Sequence, residues 1–357
     1  MIKIPEERLE VRRVVYMDLL RISAVFSMML LHVVATNWGT VSVISFDWKI
    51  FNVYDSLVRF CVPALVMVSG AFLLDPNKEY TFRKLFSKNI LRIVTAFVFW
   101  SACYAIYYGF SHYDTINSSI IEDVLTHFLL GRYHLWFLYT LIGLYLIVPF
   151  LRKIVVDPKL CRYFIILSIL FGSIIPFIIK VPYFWLGNEL LVKANFHFVL
   201  GYVGYFVAGY YLKAHTTLKT TNALLYLFGI IGITATIGLT AMLSAKYGEP
   251  TNTFYSYFAP NCWMVSIAVF LFFKQAIGKI NFSDRTIKGI IFVSKCSFGM
   301  YLVHDFFITF ICTYLGYTTI SFNPILSVPL ITLSVFILSF LTSYIINKIP
   351  FLNKYIV

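Results

Sequence analysis

An aspartate, an arginine and a histidine stand inside a stretch otherwise apolar enough to enter a bilayer. The stretch reads Asp18-Leu19-Leu20-Arg21-Ile22-Ser23-Ala24-Val25-Phe26-Ser27-Met28-Met29-Leu30-Leu31-His32. A charge near mid-membrane costs about 3 kcal/mol on insertion scales, so ionisable residues at that depth mark function by default. Arg21 and His32 are eleven residues apart, which is about three turns plus 20° at ~100° per residue and roughly 16 Å along the axis. Both therefore lie on one helix face. Asp18, one turn before Arg21, shares that face and can pair with it. Three polar groups on one face should line a cavity, and a histidine there can exchange a proton near neutral pH. The plainer alternative is that Asp18 and Arg21 only neutralise each other while His32 anchors the outer interface.

Further polar clusters recur near the expected membrane. Asp55 and Arg59 are one turn apart and can pair, just before Val62-Pro63-Ala64-Leu65-Val66-Met67-Val68-Ser69-Gly70. Pro63 and the small pair Ser69-Gly70 suit a helix bent around a cavity, although close helix packing explains them as well. The run Arg83-Lys84-Leu85-Phe86-Ser87-Lys88-Asn89-Ile90-Leu91-Arg92 is a basic strip for lipid headgroups or an anionic cofactor. In His134-Leu135-Trp136-Phe137-Leu138 an aromatic belt accounts for Trp136 but not for His134. Tyr301 and His304 stand one turn apart in Ser297-Phe298-Gly299-Met300-Tyr301-Leu302-Val303-His304-Asp305, and His304 lies about 13 Å beyond Lys295 along a helix.

The elements that must position these residues follow from composition. Sixty per cent apolar residues, 13% charged and a mean hydropathy of +0.81 fall far outside a soluble domain, where charged residues run near 25%. The fold class is all-α, a polytopic integral membrane protein with about ten transmembrane helices around a central cavity. The spans run roughly 15–36, 52–74, 90–110, 135–151, 162–180, 196–213, 222–244, 257–275, 295–317 and 325–347, each near the ~20 residues a bilayer needs. Asp75-Pro76-Asn77, Asp157-Pro158, Gly248-Glu249-Pro250 and Asn323-Pro324 punctuate them. Most of the 29 Lys and Arg then fall on one side, with Lys49, Arg132, Lys180, Lys193 and Lys246 on the other. The positive-inside rule makes both termini cytoplasmic. The net charge of +13 is this topology signal and does not point to nucleic acid. The whole chain, 1–357, reads as a single membrane domain without a cleaved signal peptide.

The longest outer loop, 111–134, carries His112, Asp114, Glu122, Asp123, His127, Arg132 and His134. Its 120–130 stretch has helical apolar spacing and should lie along the membrane surface. Six scattered cysteines in no metal-ligand spacing read as small core residues, with no metal site.

In order along the chain, Arg21 and His32 in their Asp-Leu-Leu-Arg opening, Arg59-Phe-Cys-Val-Pro with Ser69-Gly70, the basic strip, His134-Leu-Trp-Phe-Leu, Gly204-Tyr-Phe-Val-Ala-Gly-Tyr-Tyr and Ser297-Phe-Gly-Met-Tyr-Leu-Val-His resemble the membrane acyltransferase 3 family. Its members O-acylate envelope glycans and related molecules. One departure is Ala64-Leu65-Val66-Met67, where the family often has a Phe-rich run. The resemblance implies a multi-pass protein of the cytoplasmic membrane, in contact with membrane lipid. It implies an acyl donor used from the cytoplasm, usually acetyl-CoA, and a glycan or other envelope acceptor on the outer side. On this reading Lys88, Arg92, Arg83 and Lys84 hold the donor's phosphates, and the arm passes Arg21 to bring the thioester to His32, the general base. Asp18 and Arg21 complete the catalytic set, while Arg59, Ser69, His134, Trp136, Tyr301 and His304 line the cavity. A secondary transporter or exporter of an anionic or lipid-linked substrate would share the span count and the buried charges.

Overall fold

A bilayer core offers no water to free N–H and C=O groups, so a spanning chain must satisfy them internally. The computed structural model describes residues 6–112, 118–179 and 201–357, and among these every regular element is helical. Asp114, Lys180, Lys193 and the start of the expected 196–213 span lie outside the described residues.

The helices are α1 (Glu6–Trp38), α2 (Phe46–Val58), α3 (Cys61–Leu73), α4 (Phe82–Lys84), α5 (Leu91–His112), α6 (Ser118–Leu130), α7 (Trp136–Leu146) and α8 (Val148–Ile154). They continue as α9 (Pro158–Ile169), α10 (Ile175–Ile179), α11 (Val203–Ala214), α12 (Lys219–Tyr247), α13 (Pro260–Gln275), α14 (Asp284–Thr309), α15 (Pro324–Lys348) and α16 (Pro350–Tyr355). Wider π turns at Leu85–Ile90 and Leu170–Ile174 carry α4 into α5 and α9 into α10, and a third at Phe310–Tyr314 extends α14.

Among the described residues, 8 stretches are long and apolar enough to cross a membrane. They are Val15–Trp38, Phe46–Leu73, Phe82–Gly109, Pro158–Ile178, Lys219–Tyr247, Thr253–Lys279, Asp284–Tyr314 and Pro324–Lys348. At the expected fourth span, α7 and α8 pass the same test together but meet at 57°. Pro149 stands at the start of α8, where it lacks an N–H and crowds the carbonyl four residues back. At the sixth, α11 is 12 residues long as described.

The turn residues act where the sequence placed them. Asp157 accepts from the Lys159 N–H at 2.7 Å ahead of Pro158 at the start of α9. Asn323 does the same for α15, and Gly248 closes α12 at φ +73°, a conformation glycine adopts without steric cost.

The core is built around α1, which packs against α2, α3, α13, α14 and α15. Leu20, Ala24, Met28, Met29, Val33 and Val34 are among its buried positions. Two contacts fix its direction relative to α14: Arg21 meets Ser294 and His32 meets His304, so the two helices run parallel and nearly in step. Helices α3 and α11 approach each other closely. A Cβ on Gly70 would fall 1.9 Å from the Phe206 carbonyl oxygen, and one on Gly209 2.0 Å from that of Met67. Each helix therefore offers a glycine to the other's backbone, the small-residue packing that membranes favour. The Gly204–Tyr211 motif is thereby largely a packing device, for a Cβ on Gly204 would also fall 2.5 Å from that of Ser168 in α9.

Helix α6 packs along α5 and leaves Ile121, Leu125 and Leu129 exposed. That stripe at four-residue spacing is the apolar face a helix lying on a membrane surface needs. All six cysteines are free thiols.

Candidate active site

The polar residues of α1 fall on two levels. On the first, Asp18 and Arg21 pair at 3.5 Å. Ser294 of α14 joins them, donating to Asp18 Oδ1 at 2.6 Å and accepting from Arg21 Nη1 at 3.2 Å. The carboxylate is thus satisfied, while the Arg21 side chain stays 32% exposed and faces the Phe72 ring at 5.8 Å. Tyr145 of α7 reaches Ser69 and lies within electrostatic range of both Arg21 and Arg92. Ser69 itself donates to the Leu65 carbonyl at 2.9 Å. Arg92 of α5 donates through Nε to the main-chain oxygen of Val357 at 2.9 Å and lies 5.4 Å from the Phe298 ring centre. Arg83, Lys84 and Lys88 are exposed.

The second level holds three histidines from distant parts of the chain. His32 of α1 lies 5.2 Å from His304 of α14, centre to centre, and His304 lies 4.8 Å from His134. His304 is 0% and His134 2% exposed, whereas His32 is half-buried. The Nδ1 of His304 is 2.6 Å from the Tyr301 carbonyl oxygen. A carbonyl only accepts, so Nδ1 carries the proton and Nε2 presents a lone pair. That Nε2 is buried and has no hydrogen-bond partner. Tyr301 donates its hydroxyl to the His134 carbonyl at 2.6 Å, and Tyr104 of α5 donates to that of Leu302 at 2.9 Å.

The segment before α7 covers this cluster. Tyr133 lays its ring edge-on to His32 at 5.1 Å and donates to Asp305 Oδ1 at 2.7 Å. Arg132 donates to Asp305 Oδ2 at 2.7 Å. Burial, then the Asp305 charge, hold the Tyr133 hydroxyl well above its ordinary pKa, so it stays protonated and remains a donor. Asp305, 3% exposed, thereby ties α14 to the chain that carries His134.

Arg59 is caged beside them. Asp55 takes both Nε and Nη2 of its guanidinium, the second at 2.7 Å. Nη1 reaches the Tyr255 carbonyl at 3.2 Å. The Tyr255 and Tyr257 rings lie 4.3 and 5.8 Å away. Pro63 has no N–H for the Arg59 carbonyl, and Cys262 Sγ of α13 approaches that oxygen at 3.5 Å. Arg59 remains within electrostatic range of His32. Trp136 stands farther out, stacked on Tyr202 at 5.8 Å and 38% exposed.

The structure therefore gathers Asp18, Arg21, Ser69 and Arg92 at one level and His32, His134, Tyr301, His304 and Arg59 at the other. Sequence reasoning missed Ser294, Tyr145, Tyr133, Tyr104, Arg132 and Asp305 as members. A signal for several was present: Ser294 and Asp305 are eleven residues apart, as are His134 and Tyr145. Both pairs repeat the spacing of Arg21 and His32, so each strut spans the same two levels. Among the described residues no group of His, Cys, Asp or Glu is arranged to hold a metal ion.

A half-buried imidazole beside two buried imidazoles, roughly 16 Å along one face from an accessible guanidinium, can serve a proton transfer at one end and an anion at the other. The profile of a family described as an acyltransferase domain matches residues 14–346, nearly the whole chain. The chain belongs to the acyltransferase 3 family. It is a membrane acyltransferase of the multi-pass kind, and both polar levels lie within the matched region. No curated protein and no solved structure matches it.

Proposed function

We propose that this acyltransferase moves an acyl group, acetyl in the simplest case, from acyl-CoA on the cytoplasmic side to a hydroxyl of an envelope glycan or related acceptor on the outer side. The observation that carries this reading is the exposure of His32: of three clustered histidines it is the half-buried one, hence the one a substrate can meet. His32 takes the proton of the acceptor hydroxyl as its oxygen attacks the thioester carbon. Collapse of the tetrahedral adduct breaks the carbon–sulfur bond, and the CoA sulfur leaves with the proton held by His32. His304 and His134 wall the site beside it, and Tyr133 with Arg132 and Asp305 fixes the approach. At roughly 16 Å Arg21 does not reach the adduct; with Asp18 and Ser294 it positions the donor arm. Lys88, Arg92, Arg83 and Lys84 are the residues proposed to hold the donor's phosphates.

Purified protein in nanodiscs should release free CoA thiol from acetyl-CoA when a hydroxyl acceptor is present, with the acetyl mass appearing on the acceptor. A transporter would leave the thioester intact, and that result would sink the reading.

The transfer direction requires the Arg21 level to face the cytoplasm. A ten-span arrangement with both termini cytoplasmic satisfies this, since parallel α1 and α14 need an odd number of crossings between them. Cysteines introduced at Asn77 and Glu122, both exposed, should label from opposite faces of sealed vesicles. Labelling of both from one face would refute the topology.

A further inference from the structure

The loop between α3 and α4 and the end of α11 bring two ammonium groups to the aromatic ring that Arg21 faces. Lys78 Nζ lies 4.6 Å from the centre of Phe72, Lys213 Nζ 5.4 Å and Arg21 Cζ 5.8 Å. Asp75 answers Lys213 at 2.9 Å, and Lys213 also donates to the Ala71 carbonyl at 3.1 Å. Asp18 answers Arg21. Lys78 has the ring and makes no direct ion pair, sharing the Asp75 charge with Lys213 at longer range, and Lys84 adds a further positive charge within electrostatic range. Partial loss of water around its otherwise exposed side chain, then repulsion from Lys213, push the Lys78 ammonium below its ordinary pKa against the opposing pull of Asp75. Like charges held together in this way are relieved by an anion.

The loop is held in place. Arg152 of α8 donates to the carbonyls of Leu73 at 2.9 Å, Asp75 at 2.8 Å and Lys78 at 2.9 Å, and its guanidinium lies 4.9 Å from the Tyr80 ring centre. One arginine thus fixes the backbone that carries Lys78, so the cations are set before any ligand arrives, which lowers the ordering cost of binding.

We propose that Lys78, Lys213 and Phe72, with Arg21, form a cradle for a phosphate of the acyl donor. The assignment rests on the phosphorylated donor argued above and adds to it a site off the Lys88–Arg92 strip. The other source of the same chemistry is an anionic lipid headgroup.

Titration of CoA into the full chain in nanodiscs of zwitterionic lipid tests it. Lys78→Met keeps the stem and removes the charge at an exposed position. Loss of a charge-assisted contact should weaken CoA about tenfold, while Lys288→Met, exposed on α14, binds as wild type. Unchanged CoA affinity in Lys78→Met overturns the cradle as a donor site. Native mass spectrometry in phosphatidylglycerol nanodiscs covers the other source. If Lys78→Met loses bound phosphatidylglycerol and keeps its CoA affinity, the site holds lipid and the assignment falls. If wild type binds no CoA at all, the donor reading itself fails. Inorganic pyrophosphate then decides the cradle alone: binding that Lys78→Met weakens sustains it, and no binding overturns it.

Discussion

His32→Gln should lose about 10²–10⁴ of the transfer rate, the usual worth of a general base, while the protein still inserts and still binds its donor. Glutamine keeps a hydrogen-bonding group of similar reach but cannot hold a proton at working pH. His32→Ala should fail to the same degree. The effect should fall on turnover rather than on donor affinity, because the Asp18–Arg21–Ser294 cluster is a separate level roughly 16 Å away. A structural role predicts the reverse pattern, with Gln tolerated and Ala lowering the folded yield. A folded His32→Gln protein with wild-type turnover would transfer the base to His304, whose buried Nε2 is free of partners.

Gly209→Val should abolish folded protein, and Gly209→Ala should already lower the thermal midpoint in detergent. The added Cβ would meet the Met67 carbonyl oxygen at 2.0 Å and its carbonyl carbon at 2.5 Å, and backbone atoms of a packed helix cannot rotate away as a side chain can. Overpacking typically costs about 1–3 kcal/mol, and this contact is backbone against backbone. Gly238 of α12 provides the contrast, since a Cβ there meets nothing within 4 Å. Gly238→Ala should leave stability unchanged or raise it by up to about 1 kcal/mol, the helix-propensity difference. Equal thermal midpoints for Gly209→Ala and wild type would mean that α3 and α11 are not in backbone contact.

Local pairings were legible in the sequence because they depend only on helix geometry. The i,i+3 pair of Asp18 with Arg21 and the i,i+4 pair of Asp55 with Arg59 both form, and Asp157, Gly248 and Asn323 end or begin helices as turn chemistry dictates. What joins distant segments was not legible. Nothing in His134 or His304 alone says that their rings meet each other or that of His32, for that depends on α14 running beside α1 and on the 131–135 segment crossing above both. The cations on Phe72 were hidden for the same reason, since Lys78, Lys213 and Arg21 come from three separate parts of the chain. Gly70 and Gly209 were visible as small residues, yet their pairing appears only once α3 and α11 are packed. The bend between α7 and α8, within the expected 135–151 span, has a local sign in Pro149.

On the proposed function, this chain acylates an envelope hydroxyl through His32. Mass spectrometry of envelope glycans with and without the gene tests it most directly, with wild type and His32→Gln restored in parallel at equal membrane levels. One acyl mass should disappear on deletion, return with wild type and stay absent with His32→Gln. Identical glycan masses with and without the gene, or full return of the acyl mass with His32→Gln, would contradict it.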